Sequence, residues 1–440
     1  MNFKSYPNYK DSGVEWLGEV PEHWSVKKFG YIFRENKIKN SGLIETNVLS
    51  LSYGRIKEKN IEDNKGLLPE SFETYQIIQP NDIIFRFTDL QNDKRSLRSA
   101  ISKFHGIITS AYIGVRTTAN AEFYNYLFRA YDQQKVFYSM GDGMRQSLKI
   151  NELNRMPIVF PSDVEQQQIV SFLDSETSRI DNLIAKQEKL IELLEEHRKT
   201  VIFHAVTKGL DSNVPMKDSG VEWLGEVTQD STLIKLKFLT EIKGRIGFRG
   251  YTTNDIVSEG EGAITLSPSN LNYKNLDLTK KTFLSWEKFH ESPEIQVKSN
   301  DVIIVKTGSS LGKIGWVNNI NQSLTINPQL AIIRCKKYLK INPKYLFYVM
   351  LSEYFKASVI SSNTGGTMPT VTQESIGKII IPHYSIDVQN QIVEILDSKL
   401  KKIDTLIAKQ KGLIEKLKEY RTSIISHAIT GKIDVRDLVA

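Results

Sequence analysis

The sequence predicts a mixed α/β chain of the α+β class: two similar globular domains joined by two long antiparallel coiled-coil helices, with pseudo-twofold symmetry. Three observations carry this. The eleven residues Lys10 to Val20 (Lys-Asp-Ser-Gly-Val-Glu-Trp-Leu-Gly-Glu-Val) recur unchanged as Lys217 to Val227, and an identity of that length containing tryptophan marks a duplicated module. Ile180-Asp181-Asn182-Leu183-Ile184-Ala185-Lys186-Gln187 returns as Ile403-Asp404-Thr405-Leu406-Ile407-Ala408-Lys409-Gln410, in segments whose apolar residues step by three and four. The segments between the repeats differ in sequence and in length, because the first repeat has an offset of 207 residues and the second one of 223. The order is therefore variable, constant, variable, constant: a first globular domain over 1–162, a helix over 163–209, a second domain over 210–386, and a helix with its tail over 387–440.

The first domain mixes short strand and helix signals. Asn81-Asp82 followed by Ile83-Ile84-Phe85-Arg86-Phe87 reads as a turn and then a strand. Tyr126-Leu127-Phe128-Arg129 reads as a helix start. The helix that follows has Pro161 before it, Asp163 as N-cap with Gln166 three residues on, and Gly209 at its end. Its seam is Leu173, Ile180, Leu183, Gln187, Leu190 and Leu194, a heptad pattern that needs a partner helix. At 1.5 Å per residue such a helix is ~66 Å long. The second domain repeats the turn and strand at Asn300-Asp301-Val302-Ile303-Ile304-Val305-Lys306, and the helix start at Tyr345-Leu346-Phe347-Tyr348. The second helix has Pro382 before it, Asp387 as cap and Gly431 at its end. Its seam is Leu396, Ile403, Leu406, Gln410, Leu413 and Leu417. Gln187 and Gln410 either fix the register of the pair or lie at its wet edge. The order of the parts also predicts circular closure, with the end of the second helix near the first Lys-Asp-Ser-Gly-Val-Glu-Trp segment.

Composition is that of a globular protein, 40% hydrophobic and 25% charged, with net charge +7 and pI near 9.0. The basic excess suits a partner that carries phosphates. A single cysteine, Cys335, excludes an internal disulfide and a cysteine metal cluster, and its apolar run reads as buried. The polar start and the absence of a long apolar run predict a cytoplasmic protein outside membranes.

Motifs for catalysis are missing. Gly308-Ser309-Ser310-Leu311-Gly312-Lys313-Ile314 is one residue short of a phosphate loop, and Ile314 stands where Ser or Thr would hold magnesium. His-Glu-x-x-His does not occur. Asp63-Asn64-Lys65 and Glu241-Ile242-Lys243 end like nuclease motifs but lack the preceding Pro-Asp pair. His204 and His427 read as helix-end polar groups. No metal site and no catalytic residue are assigned.

Glycine-rich loops instead carry cations, amides and aromatics of the types that meet phosphates and base edges. The candidates for DNA contact are Tyr53, Arg55, Arg86, Arg145, Gln146, Ser147 and Lys149 in the first domain. In the second they are Arg245, Phe248, Arg249, Tyr251, Lys306, Thr307, Ser309, Lys313 and Thr367. The alternatives are a self-sufficient DNA nuclease or methyltransferase, and a coiled-coil scaffold that binds no nucleic acid.

The whole pattern resembles the specificity subunit of type I restriction-modification systems, which serve host defence. The residues that carry the resemblance are the Lys10–Val20 repeat, Pro21-Glu22-His23-Trp24, the run Gln167 to Val170 with Gln389 to Val393, the Ile-Asp-x-Leu-Ile-Ala-Lys-Gln helices, and Gly143-x-Arg145-x-Ser147. The second copy departs from it, with Thr228-Gln229-Asp230 in place of Pro-Glu-His and Met368-Pro369 in place of Arg145-Gln146. The resemblance implies a non-catalytic subunit whose two target recognition domains each bind half of a bipartite double-stranded DNA site. It implies helices that set the spacer and dock two methyltransferase subunits, and through them restriction and motor subunits. This chain would then hold no cofactor; S-adenosylmethionine and ATP belong to the partners.

Overall fold

The structure is a computed structural model that describes residues 3–60, 69–88, 97–140, 147–211 and 213–438. The chain forms two compact units. Unit 1 comprises Met1–Glu188 with Lys411–Ala440, and unit 2 comprises Lys189–Gln410.

Both units are built from the same parts. In unit 1 the repeated peptide forms an entry hairpin, Tyr9–Asp11 against Glu19–Pro21. In unit 2 the hairpin is Met216–Asp218 against Glu226–Thr228. Each unit then holds a four-stranded antiparallel sheet. Its order in unit 1 is Phe33–Glu35, Ile113–Thr117, Ile83–Phe85, Ser99–Ile101, and in unit 2 it is Thr240–Lys243, Leu330–Cys335, Val302–Val305, Ile314–Trp316. A separate strand pair leads to each long helix, Ser25–Lys28 with Pro157–Phe160 and Thr232–Lys235 with Ile380–His383. Unit 2 adds a mixed sheet in the order Ile256–Val257, Phe283–Ser285, Gly262–Leu266, Leu324–Ile326.

The turn and strand read from Asn81 and Asn300 have one physical basis in both copies. Each Asn adopts a left-handed conformation, φ 74° and 69°, which asparagine tolerates better than most residues. The next residue, Asp82 or Asp301, is buried and takes a two-pronged bond from an arginine on the neighbouring strand. Arg116 donates to Asp82 at 2.7 and 2.8 Å, and Arg334 to Asp301 at 2.7 and 2.6 Å. The shared sheet order and the shared ion pair show that the two variable domains have one fold.

The helix starts are matched differently from the sequence reading. Asn120 caps Ala121–Gln133 and Asn342 caps Pro343–Leu351, so Tyr126 is equivalent to Tyr348 and not to Tyr345. The hydrogen bonds agree: Tyr126 Oη donates to Asp174 and Tyr348 Oη to Asp397, two aspartates 223 residues apart. Cys335 is half-buried and not buried, since it ends its strand; burial still pushes its thiol up to about 12, so it is unreactive.

The two long helices run Asp163–Thr207 and Ile386–Ile429. Their caps are Ser162 and Ser385, whose hydroxyls accept from the N–H groups of Glu165 and Val388, and not Asp163 and Asp387. The two aspartates stand inside the first turn, where their charge suits the helix dipole. Gly209 and Gly431 follow the ends with φ 66° and 72°.

The helices pair antiparallel inside each unit. In unit 1, Arg421 donates to both oxygens of Asp181 at 2.8 and 3.2 Å. In unit 2, Arg198 bonds Asp404. Asp181 and Asp404 are equivalent in the repeat, and so are Arg198 and Arg421, so each bridge is the reciprocal of the other. In unit 2 the bridge is also clasped by Tyr273 Oη at 2.7 Å and Lys274 Nζ at 2.8 Å.

The seam itself requires correction. Leu173, Ile180, Leu396 and Ile403 are buried, and Leu183, Leu194, Leu417 and the two glutamines are half-buried. Leu190, Leu406 and Leu413 are 39%, 44% and 41% exposed. Ile407 and Ile414 are buried in place of the last two, and Ile191 is covered better than Leu190. The cause is the intermediate position. Both sets keep a seven-residue repeat and share every seventh residue, and the covered face takes the residue four places on from each of these, not the one three places on. Stepping alternately by four and three from Leu396 passes through Leu400, Ile403, Ile407, Gln410, Ile414 and Leu417. The same step from Leu173 passes through Thr177, Ile180, Ile184, Gln187, Ile191 and Leu194.

Each core is completed by helix ends. In unit 1, Trp24, Phe29, Phe33, Phe85 and Phe128 pack in one cluster with Ile424, Ile425, Ala428 and Ile429. In unit 2, Ile202 and Val206 join the sheet residues Val302 and Ile333. Unit 1 closes in the expected circular manner: Lys4 pairs with Asp434, and Lys432 Nζ donates to the Leu17 carbonyl at 2.9 Å.

Candidate nucleic-acid interface

In unit 1, Tyr53 and Gly54 form the tip of the hairpin Leu49–Ser52/Arg55–Glu58. Both have positive φ, 49° and 70°, which the tight turn demands. Tyr53 is 80% exposed, and Arg55 is exposed beside it. Arg129 reaches the tip from a helix and donates to the Gly54 carbonyl at 2.6 Å. Burial, and then the charges of Arg421 and Arg55, hold the Arg129 guanidinium below its usual pKa. Three arginines therefore act on one another here, one of them, Arg421, paired with Asp181. Arg86 is half-buried after its strand, and Ser147 and Lys149 are exposed. Arg145 and Gln146 lie outside the described residues.

Unit 2 brings most of its candidates to one end of the four-stranded sheet. Lys306 and Thr307 continue the central strand. Thr307 bridges Thr370, and the Gly308 N–H donates to the Pro369 carbonyl at 2.9 Å. This fixes the loop 363–370, whose tip carries the exposed Thr367. Asn363 braces the loop from within, its side-chain oxygen accepting from the N–H groups of Thr370 at 2.7 Å and Gly365 at 3.0 Å. Ser309 is exposed in the adjoining turn.

Other candidates are used by the fold. Arg245 is buried, with its guanidinium bonded to the Ile326 carbonyl, Thr325 Oγ1 and the Arg249 carbonyl, and lies 5.2 Å from the Tyr251 ring. It braces its own loop, and Tyr251 packs under it. Arg249 pairs with Glu294 at 3.4 Å. Lys313 is exposed but donates to the Pro268 carbonyl at 2.9 Å. The side chain of Phe248 lies outside the described set. Glycine-rich cationic stretches thus serve two purposes, and spacing alone does not separate a cation that braces a loop from one that faces outward.

The sequence reading missed Arg129, Gln329 and Gln373. Gln329 presents its carbonyl to the Lys306 N–H at 2.8 Å. Gln373 spans Ile242 and Gly244, at 3.0 and 3.1 Å with its amide turned to fit the donors. Neither glutamine is near its partner in sequence, so no local pattern marks them.

Among the described residues no group of three His, Cys, Asp or Glu is placed to hold a metal ion. No described helix is long and apolar enough to cross a membrane.

Residues 251–418 match the family model of the type I restriction modification DNA specificity domain. The chain is 24% identical to the type I restriction enzyme MjaVIII specificity subunit of Methanocaldococcus jannaschii, over 100% of this chain and 99% of the relative. It is 24% identical to the EcoR124I/EcoR124II specificity subunit of Escherichia coli, over 61% of this chain and 60% of that one. Among solved structures, a chain from work on complex assembly of the type I R-M system has a TM-score of 0.70 at 16% identity, over 93% of this chain and 98% of that one. The HsdS subunit of Thermoanaerobacter tengcongensis has a TM-score of 0.56 at 16% identity, over 94% and 98%. These structural matches support the fold.

Proposed function

We propose that this chain, which is similar to the specificity subunits of type I restriction-modification systems, is such a subunit, that each unit binds one half of a bipartite double-stranded DNA site and that neither performs chemistry on it. The observation that carries this reading is the reciprocal bridge, Asp181 with Arg421 and Arg198 with Asp404. It ties equivalent positions of the two repeats while most of the sequence between the repeats differs. A fold that preserves its joints and varies its loops suits two readers of different sequence on a common frame.

The helices would set the spacer between the half-sites and dock two identical methyltransferase subunits, with restriction and motor subunits joining through them. The duplicated exposed leucines Leu190 and Leu413, 39% and 41% exposed, support a duplicated partner, since an apolar side chain held in water at the same place in both copies has a use in binding. S-adenosylmethionine and ATP would be held by those partners, in the cytoplasm where the DNA is.

Methylome sequencing of cells that express the chain with its methyltransferase tests the reading. The expected result is a bipartite methylated motif in which replacing residues 21–160 by those of another specificity subunit alters one half only. A motif left unchanged in both halves would refute the modular assignment.

A further inference from the structure

The central strand of the sheet ends differently in the two domains. Asn81 to Phe87 and Asn300 to Lys306 are equivalent, so Phe87 and Lys306 occupy one position. Phe87 is buried, its ring 5.1 Å from Phe85 and 4.9 Å from Phe137. Lys306 is half-buried, and its backbone is held on both sides: its N–H donates to Gln329, and its carbonyl accepts from Val371 at 2.9 Å. Its ammonium has no hydrogen bond and no ion pair among the described residues, and burial pushes its pKa below the ordinary lysine value.

Glycine at 244 lets two side chains close over it: a Cβ there would stand 3.5 Å from Lys306 Cε and 2.5 Å from the end of Gln373. The braced loop 363–370 adjoins the same strand end. The site is therefore a partly desolvated cation on a fixed backbone, with the Gln373 amide packed beside its stem.

A partly buried ammonium without an acceptor costs free energy, and a buried donor discriminates because the wrong partner leaves it unpaired. Phosphate contacts are made well by exposed, flexible lysines. A half-buried lysine whose backbone is held at both ends, with Gln373 beside its stem, suits a pair of acceptors of fixed geometry. Guanine offers such a pair, N7 and O6, in the major groove.

We propose that Lys306 reads one guanine of the half-site bound by the second domain, donating to N7 and O6. This rests on the reading of the chain as a DNA specificity subunit. The first domain, with Phe87 at the equivalent place, has no reader there, so the two half-sites differ at that point for a structural reason.

The test is selection of bound sequences from a randomised duplex pool by the purified full-length chain. The wild type is expected to select a bipartite motif with a strongly preferred guanine in one half. Lys306→Met should lower the preference for that guanine about ten- to hundredfold, leaving the other positions and the other half unaltered. Lys306→Gln should move the preference at that position towards adenine, whose N6 and N7 suit an amide. It keeps a polar side chain of similar length should the methionine variant fold poorly. An unchanged motif, with weaker binding to every sequence and a salt slope reduced by about 1, would make Lys306 a phosphate contact and overturn the proposal. A wild type that selects no motif would overturn the specificity-subunit reading itself.

Discussion

Ile407 and Leu406 are neighbours on the second long helix and make opposite predictions. Ile407 is 7% exposed within the core of unit 2, and Leu406 is 44% exposed. Truncating Ile407 to alanine removes three carbons from a closed environment. At about 0.8 kcal/mol per carbon the transfer part is about 2.4 kcal/mol, and incomplete collapse of the cavity raises the loss to about 3 kcal/mol. The same truncation at Leu406 removes carbons that are only about half covered, so its loss is about 1 kcal/mol, reduced further by the higher helix propensity of alanine. The difference of about 2 kcal/mol corresponds to about 4–8 °C in melting temperature for a unit of this size. Thermal unfolding of the full-length variants, followed by circular dichroism, measures it. A loss for Leu406→Ala equal to or greater than that for Ile407→Ala would refute the seam through Ile407 and restore the one through Leu406.

Three further outcomes are expected. Asp301→Ala, which strands the Arg334 guanidinium in a half-buried place, should cost about 3–5 kcal/mol in urea unfolding, whereas Asp301→Ala combined with Arg334→Met should recover most of it; equal losses would contradict an uncompensated charge as the cause. Burial raises the pKa of Asp404, but the bonds from Lys274 and Tyr273 and the Arg198 charge outweigh this and leave it below the ordinary 3.8. A lowered folded-state pKa gives stability that is present above 3.8 and lost as pH falls through the lower folded value, so melting curves of wild type and Asp404→Asn should converge only in that acid range. Leu190→Glu with Leu413→Glu should leave the melting temperature of the isolated chain nearly unchanged, yet abolish co-purification with the methyltransferase; retained co-purification would place the dock elsewhere.

What was legible in the sequence was what repeats. The identical peptides announced two equivalent entry hairpins, and Asn81-Asp82 and Asn300-Asp301 announced equivalent strands, because a left-handed turn and a buried carboxylate are local requirements. The caps were misassigned by one and two residues, since Ser162 and Ser385 compete with aspartates that favour the same end of the helix for a different reason. Heptad counting failed at Leu190, Leu406 and Leu413 because each is followed by an isoleucine, so residues three and four places after a seam position are both apolar and only packing decides between them. Arg245 and Lys306 both read as cations in glycine-rich loops. What distinguishes them is that Thr325 and Ile326 take the guanidinium of one while no described residue takes the ammonium of the other, which are relations across the sheet that no window of sequence contains.

The composition of the two cores has a consequence for how the chain is made. Unit 2 is one continuous stretch, Lys189–Gln410, whereas unit 1 needs Lys411–Ala440 as well as the first 188 residues. Ile424, Ile425, Ala428, Ile429 and Val435 are part of the unit 1 core. At synthesis rates of about 5–20 residues per second, the domain that leaves the ribosome first waits roughly tens of seconds for its last pieces. The second domain has all of its chain before then. A product that stops short of residue 411 therefore displays an apolar face around Trp24 and Phe128, the kind of surface that chaperones and proteases engage. The core of the first domain is completed only once the residues from Ile424 to Val435 have been made.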